Sequence, residues 1–295
     1  MLSPWLELDG ARERIDARID TLSGAAGLDL RRLGTTADAD EIKDTAVTQP
    51  LVVALSLLAF EELSRRVDLP ADVVVAGHSV GELAAAAVAG VLTAEDAVAL
   101  AAVRGQEMAA ACTIEPTGMS ALLGGDEEQV LARLAELGLV PANRNGAGQI
   151  VAAGRLDALA ELKADPPTGC RVVPLAVAGA FHTDFMAPAR RALAAHADGV
   201  KVSDPARRLL SNADGGAVDD GVEVLRRLVA QVTSPVRWDA CLATLRDGGV
   251  TATVELPPAG TLTGLAKREL KGATTLAVKT PADLDRAVDL IGNRT

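Results

Sequence analysis

The sequence predicts an α/β protein: a parallel-sheet core with a smaller α/β unit inserted into it. Two observations predict the core. A β-branched run at residues 72–76 leads through a glycine turn into a helix, and strand and helix periods keep alternating from residue 178 onward. A third predicts the insertion. Residues 117–177 follow the order strand-helix-strand-strand-helix-strand, that of a ferredoxin-like unit. The expected division is residues 1–116 with 178–295 for the core, and 117–177 for the insertion. A chain of 295 residues suits such an arrangement, and 49% hydrophobic with 23% charged residues supplies the core.

Along the chain, residues 10–22 read as a helix because Ile15, Ile19 and Leu22 recur at helical spacing. Residues 42–46 are short and polar. Gln49-Pro50 then opens an apolar helix over 51–66, with proline early, where its missing N–H costs least. After a break at 67–70, residues 72–76 lack polar alternation and read as a strand buried on both faces. Residues 77–81 turn, 82–89 form a helix, and 93–108 form another with Thr93 as its N-cap.

In the insertion, strands at 119–123, 140–143, 150–153 and 171–175 alternate with helices at 127–137 and 156–164. Asn145-Gly146-Ala147-Gly148 forms its hairpin turn. Beyond it come a helix at 188–197, a strand near 208–212, helices at 222–232 and 238–247, a strand at 251–256 and a closing helix at 262–270.

Composition removes several functional classes. Aromatic residues are 2% with no tyrosine, so stacking platforms for single-stranded nucleic acid are scarce. A net charge of -11 repels phosphate backbones. Cys112, Cys170 and Cys241 lie far apart and show neither a disulfide framework nor metal-ligand spacing, which suits a reducing cytoplasm. The first ten residues include Glu7 and Asp9 and no apolar run, so no signal peptide is expected. The Ala/Val-rich stretch at 84–91 is too short to span a bilayer. The expectation is a cytoplasmic monomer without bound metal, acting on neither nucleic acid nor membrane.

Gly77-His78-Ser79-Val80-Gly81 carries the most chemical information. It follows a strand and opens a helix, the setting a G-x-S-x-G nucleophile elbow requires, and so makes the expected core α/β-hydrolase-like. Such a turn lifts the Ser79 hydroxyl to the end of the sheet. It also aims the Val80 N–H and the positive end of the helix at a developing oxyanion. A bare match would leave a structural turn with an incidental serine equally good; the flanking strand and helix favour the nucleophile. A serine needs a base. His78 adjoins Ser79, but its ring should project elsewhere. His196 lies in a helix beside Asp198 and reads as a surface residue. His182 follows Phe181 in a glycine-rich break after a strand, where site residues gather, although a packed histidine fits there too.

Gly77-His78-Ser79-Val80-Gly81-Glu82 matches the G-H-S-x-G-E elbow of the malonyl-CoA:acyl carrier protein transacylases and of the acyltransferase domains of polyketide and fatty acid synthases. The chain resembles that family in further blocks, in family order. These are Gln49-Pro50, Val103-Arg104-Gly105, Ala142-Asn143 with Gly148-Gln149-Ile150-Val151, Gly179-Ala180-Phe181-His182, Gln231 with Pro235-Val236-Arg237-Trp238, and Thr263-Gly264-Leu265.

The resemblance implies that Ser79 is the nucleophile and His182 the base, held by the backbone carbonyl of Gln231, so that no acid completes a triad. It implies that Arg104, otherwise read as a solvated helix arginine, grips the malonyl carboxylate with both arms of its guanidinium. Gln49, Phe181 and His78 are implied to line the pocket, with Phe181 narrowing it against a 2-methyl group. The implied reaction passes malonyl from malonyl-CoA through a Ser79 ester to the phosphopantetheine thiol of acyl carrier protein, with no bound cofactor. Arg190, Arg191, Lys267, Arg268 and Lys271 are the candidates for a basic docking patch.

The sequence departs from the family at its start. Members begin with a strand and a Gly-Gln-Gly-x-Gln loop that supplies an oxyanion N–H. Residues 1–40 contain only Gly10, Gly24, Gly27 and Gly34, and the first glutamine is Gln49. An N-terminal strand and loop of about 15 residues is therefore expected to be missing. Pro257-Pro258 stands where many relatives have Gly-Pro. Two other readings stay open. One is a serine esterase or thioesterase of α/β-hydrolase type, for which Asp157 or Asp165 would orient the histidine. The other is a carrier-protein binding module impaired in catalysis by the absent loop.

Overall fold

The computed structural model describes residues 1–292. The N-terminal layer is helical. Helix α1 (Ser3–Leu6) buries Trp5, and α2 (Arg12–Ala26) buries Ile15, Ile19 and Leu22, the three residues whose spacing predicts it. Gly27 stops α2 in a left-handed conformation, φ 64°. Helices α3 (Leu30–Thr35) and α4 (Ala39–Lys43) are capped by the side chains of Asp29 and Asp38.

Helix α5 (Thr45–Ser64) begins earlier than the sequence suggests, because Asp44 caps it by accepting from the Ala46 N–H. Pro50 therefore lies inside the helix, not in its first turn, and the Ala46 carbonyl loses its ladder donor. By length and hydropathy α5 could cross a membrane, yet 67% of its apolar stretch is buried inside the protein. It is the central core helix, apolar on every side because it is packed on every side.

The strand β1 (Val74–Val75) leads into α6 (Gly81–Val88), and α7 (Ala94–Ala111) follows with Thr93 accepting from the Asp96 N–H. An added Cβ on Gly105 would stand 2.5 Å from the Thr45 carbonyl, so glycine is what lets α7 close onto α5.

Next come β2 (Thr117–Gly124), α8 (Glu127–Glu136), β3 (Val140–Gly146), β4 (Gln149–Arg155), α9 (Leu156–Ala164) and β5 (Cys170–Pro174). Their strands pair antiparallel in the order β5-β2-β4-β3. The short β8 (Val236–Arg237) extends this sheet in parallel through Asn143↔Val236 and Arg144↔Arg237, a pairing the sequence does not announce.

The remaining elements are α10 (Ala187–Ala197), β6 (Arg208–Leu210), β7 (Ala217–Val218), α11 (Gly221–Ala230), α12 (Trp238–Asp247), β9 (Ala252–Glu255), α13 (Thr261–Glu269), β10 (Thr274–Ala277) and α14 (Leu284–Gly292). The sequence reading ends at α13, and so misses β10 and α14. The spacing of Leu284, Ala287 and Ile291, all buried, makes α14 legible in retrospect.

Among the described residues the expected single parallel sheet is two sheets. In one, β1 lies parallel to β6 and β7 antiparallel to β6; in the other, β9 lies parallel to β10. Both pieces pack on the larger apolar cluster, and β1 and the residues leading into β9 and β10 also meet the smaller one. Val75 and Val254 face the larger, around α5 and α7, while Val74 and Val250 face the smaller, around α12.

Candidate active site

The reactive corner forms where β1 meets α6. An added Cβ on Gly77 would stand 2.1 Å from the Gly81 carbonyl, so glycine alone admits this turn; Gly81 faces open space instead. Ser79 takes φ 52°, a left-handed conformation that a non-glycine residue adopts only where its surroundings enforce it. The fully buried Asn212 enforces it. Its Oδ1 accepts from the Ser79 N–H at 2.8 Å and its Nδ2 donates to the Gly77 carbonyl at 2.8 Å. Val80 is the N-cap of α6, and its N–H precedes the helix ladder, so a ligand atom above Ser79 meets both that donor and the helix's positive end.

His182 lies across from it. Its Nε2 is 2.8 Å from Ser79 Oγ, and its Nδ1–H donates to the Gln231 carbonyl at 2.8 Å. It too has positive φ, 62°, with Ala180 donating to Thr117 Oγ1 and Thr183 donating back to the Ala180 carbonyl. The chain here turns against the insertion sheet, with Phe181 packed between Met119, Ala121, Val151 and Ala153 and the main core. Burial, helped by the Arg104 charge, pushes His182 down to about 3, although its backbone hydrogen bonds oppose the shift. The imidazole is therefore neutral at physiological pH, with Nε2 facing the Ser79 hydroxyl.

The other two histidines separate as expected. The His78 ring turns away from Ser79, donates from Nε2 to Asn145 Oδ1 at 2.8 Å, and meets Trp238 edge-on at 5.7 Å. His196 is exposed on α10. The acids that an esterase would need are elsewhere: Asp157 pairs with Arg155 and Asp165 with Arg133, both far out on the insertion surface. A carbonyl occupies the orienting position.

Arg104 overturns its plain sequence reading. It is 3% exposed, and its Nη2 donates to Ser79 Oγ at 3.2 Å and to Gln231 Oε1 at 2.9 Å. Its Nη1 donates to Gln49 Oε1, while Gln49 Nε2 is tied to Thr45 Oγ1 at 2.8 Å. Burial lowers the guanidinium to about 10, with the nearby Glu82 charge opposing, so it stays cationic at neutral pH. A buried cation beside a nucleophile, held by two neutral amides and no carboxylate, can receive an anionic acyl group.

Two polar residues behind the elbow, Glu82 and Asn212, escaped the sequence reading. Burial raises the Glu82 carboxyl to about 7 against the pull of the Asn212 N–H, Gln231 and the charges of Arg104 and Arg227. Only its place within the G-H-S-x-G-E match hints at Glu82. For Asn212 the available signal is its position just past an apolar run that forms a parallel strand.

The sequence model of the family described as acyl transferase domain matches residues 6–286. The chain is 62% identical over 291 residues to a malonyl CoA-acyl carrier protein transacylase of Mycobacterium tuberculosis, covering 98% of this chain and 95% of that one. It is 61% identical over 289 residues to the protein of the same name from Mycolicibacterium smegmatis, covering 97% and 98%. Among solved structures, MCAT from Mycobacterium tuberculosis superposes with a TM-score of 0.91 at 61% identity, over 97% of this chain and 94% of that one. A complex between a malonyl-transacylase, PlMCAT, and the type II PKS acyl-carrier protein AntF is similar at a TM-score of 0.88 and 29% identity, over 98% and 94%.

Proposed function

Since the chain belongs to the acyl transferase domain family, we propose that it moves malonyl groups from malonyl-CoA to acyl carrier protein through an ester on Ser79. The observation that carries this reading is Arg104, a buried cation 3.2 Å from the nucleophile Ser79 Oγ.

The chemistry follows from the geometry. His182 Nε2 takes the Ser79 proton as Oγ attacks the thioester carbon, and the Gln231 carbonyl holds the imidazole tautomer that makes this possible. Charge that builds on the thioester oxygen meets the Val80 N–H. The CoA thiolate leaves and recovers the proton from His182. The phosphopantetheine thiol then gives its proton to His182 and attacks the Ser79 ester; Ser79 Oγ leaves, takes that proton back from His182, and the malonyl group departs as the new thioester. Arg104 binds the malonyl carboxylate in both steps, and Gln49, His78 and Phe181 shape the pocket around it. The exposed residues Arg190, Arg191, Lys267, Arg268 and Lys271 are the proposed docking face for the acidic carrier protein. Three free cysteines suit a cytoplasmic setting.

We also infer an α/β-hydrolase-like core with residues 117–177 as an insertion. The parallel pairs β1–β6 and β9–β10, with Val75 and Val254 both packed on the cluster around α5 and α7, support this reading. The sequence contains no Gly-Gln-Gly-x-Gln segment, so Val80 is the one oxyanion donor we assign.

Intact-mass measurement after mixing with malonyl-CoA tests the reading. The expected result is a stable malonyl adduct on Ser79 that holo acyl carrier protein removes. The Ser79→Ala variant should fold normally and form none. Turnover without an adduct would instead favour the esterase.

A further inference from the structure

Beneath the elbow lies a buried polar platform whose members do not touch the reacting atoms directly. The Glu82 carboxylate is 5% exposed and faces two donors, the Asn212 N–H at 2.5 Å and the Gln231 Nε2 amide. The same Nε2 also faces the Ser79 carbonyl at 3.1 Å and Asn212 Oδ1 at 3.3 Å. Every group on that side is an acceptor. The Gln231 Oε1 is thereby turned to the opposite side, where it accepts from Arg104 Nη2 at 2.9 Å.

We propose that Glu82 is a positioning residue for acyl selectivity: acting through the Gln231 amide, it holds the Arg104 guanidinium beside Ser79 in the orientation that receives a substrate carboxylate. This rests on the acyl-transfer reading of the site. The reason a carboxylate is needed is its donor-acceptor content. Each Glu82 oxygen faces a donor, a setting that selects the ionised form; a carboxylate only accepts, whereas an amide accepts at one end and donates at the other. In Glu82→Gln the new amide oxygen stays with the Asn212 N–H, since a backbone donor cannot turn. The new NH₂ then meets the Gln231 NH₂. Gln231 must flip, and its NH₂ faces the guanidinium, donor against donor. The Glu82 charge also helps keep Arg104 cationic in its buried place.

The test compares initial rates of Ser79 acylation by malonyl-CoA and acetyl-CoA in Glu82→Gln, Gln231→Met and the double variant. Acetyl needs Ser79 and His182 but offers Arg104 no carboxylate. In Glu82→Gln the malonyl-to-acetyl ratio should fall about tenfold or more while the acetyl rate stays within about threefold. Gln231→Met should lower the ratio similarly. Adding Glu82→Gln to it should lower the ratio no further, because the amide through which it acts is gone. Equal loss for both acyl groups in Glu82→Gln would make Glu82 a support of the elbow and overturn the proposal. A ratio that survives Gln231→Met would overturn it even if Glu82→Gln does not fold. Absence of any malonyl adduct on the parent protein would instead sink the acyl-transfer reading itself.

Discussion

Ser79 and His182 both sit at positive φ, 52° and 62°, at a cost of about 1–3 kcal/mol each that the surrounding hydrogen bonds must offset. Arg104 shows what such an over-determined site is for. Its fork is pinned by two glutamines but is not paired with a carboxylate. Arg104→Ala should lower malonyl acylation by about 10- to 100-fold, the worth of a charge-assisted pair, and change acetyl acylation far less. Rates with the two thioesters check it, and an unchanged ratio would remove Arg104 from the acyl pocket. His182 supplies a pH prediction. Folded, it takes up a proton only near pH 3; unfolded, it does so near 6.5. Between those values the unfolded state binds the extra proton, so this stabilising contribution is present above pH 6.5 and is lost as pH falls. Glu82 acts in the opposite direction, since its folded value is raised. Replacing His182 isolates the first effect. Relative to the parent, His182→Gln should gain about 2 kcal/mol of unfolding free energy between pH 7 and pH 5, measured by urea titration.

At the level of elements, close backbone approaches bring these residues together. The α7 helix carries Arg104, and α5 carries Gln49; they meet because Gly105 admits the Thr45 carbonyl. Gly105→Ala should force α7 away from α5 and cost about 1–3 kcal/mol, as overpacking does. The same shift should loosen the Arg104–Gln49 contact, so malonyl acylation should fall along with the melting temperature. A variant that melts with the parent would show that the helices yield easily at this point. The elements themselves were largely legible. Thr93 caps α7 as read, and α9 and α12 begin and end where their apolar spacing places them. The start of α5 was not legible, because a proline at position 50 reads as a beginning while Asp44, six residues earlier, is the actual cap.

Across the whole molecule, a net charge of -11 repels an acidic partner at long range, so productive encounter needs a local basic face. Arg190 and Arg191 are exposed on α10, which follows directly after His182, and Lys267, Arg268 and Lys271 are exposed at the end of α13. Reversing Arg190 and Arg191 to Glu should raise KM for holo acyl carrier protein and leave acylation by malonyl-CoA nearly unchanged. The effect should shrink with salt, since exposed charges are screened beyond about 8–10 Å. Equal slowing of both half-reactions would move the docking face elsewhere.

The sequence by itself determined what is local: the strand-turn-helix around Ser79, the caps, the βαββαβ order of residues 117–177, and a histidine set in a loop. These follow from neighbours a few residues apart, whose steric and hydrogen-bonding demands are written in consecutive letters. Tertiary structure decided the rest. It buried Arg104, which helix periodicity alone would leave in solvent, and supplied a carbonyl from Gln231, 49 positions from His182, where a carboxylate might be sought. It also drew Glu82 and Asn212, 130 positions apart, under one turn. Such partners carry no mark of each other in the chain. Whether a polar group is paired or costly depends on what burial brings against it, and only the packed molecule specifies that.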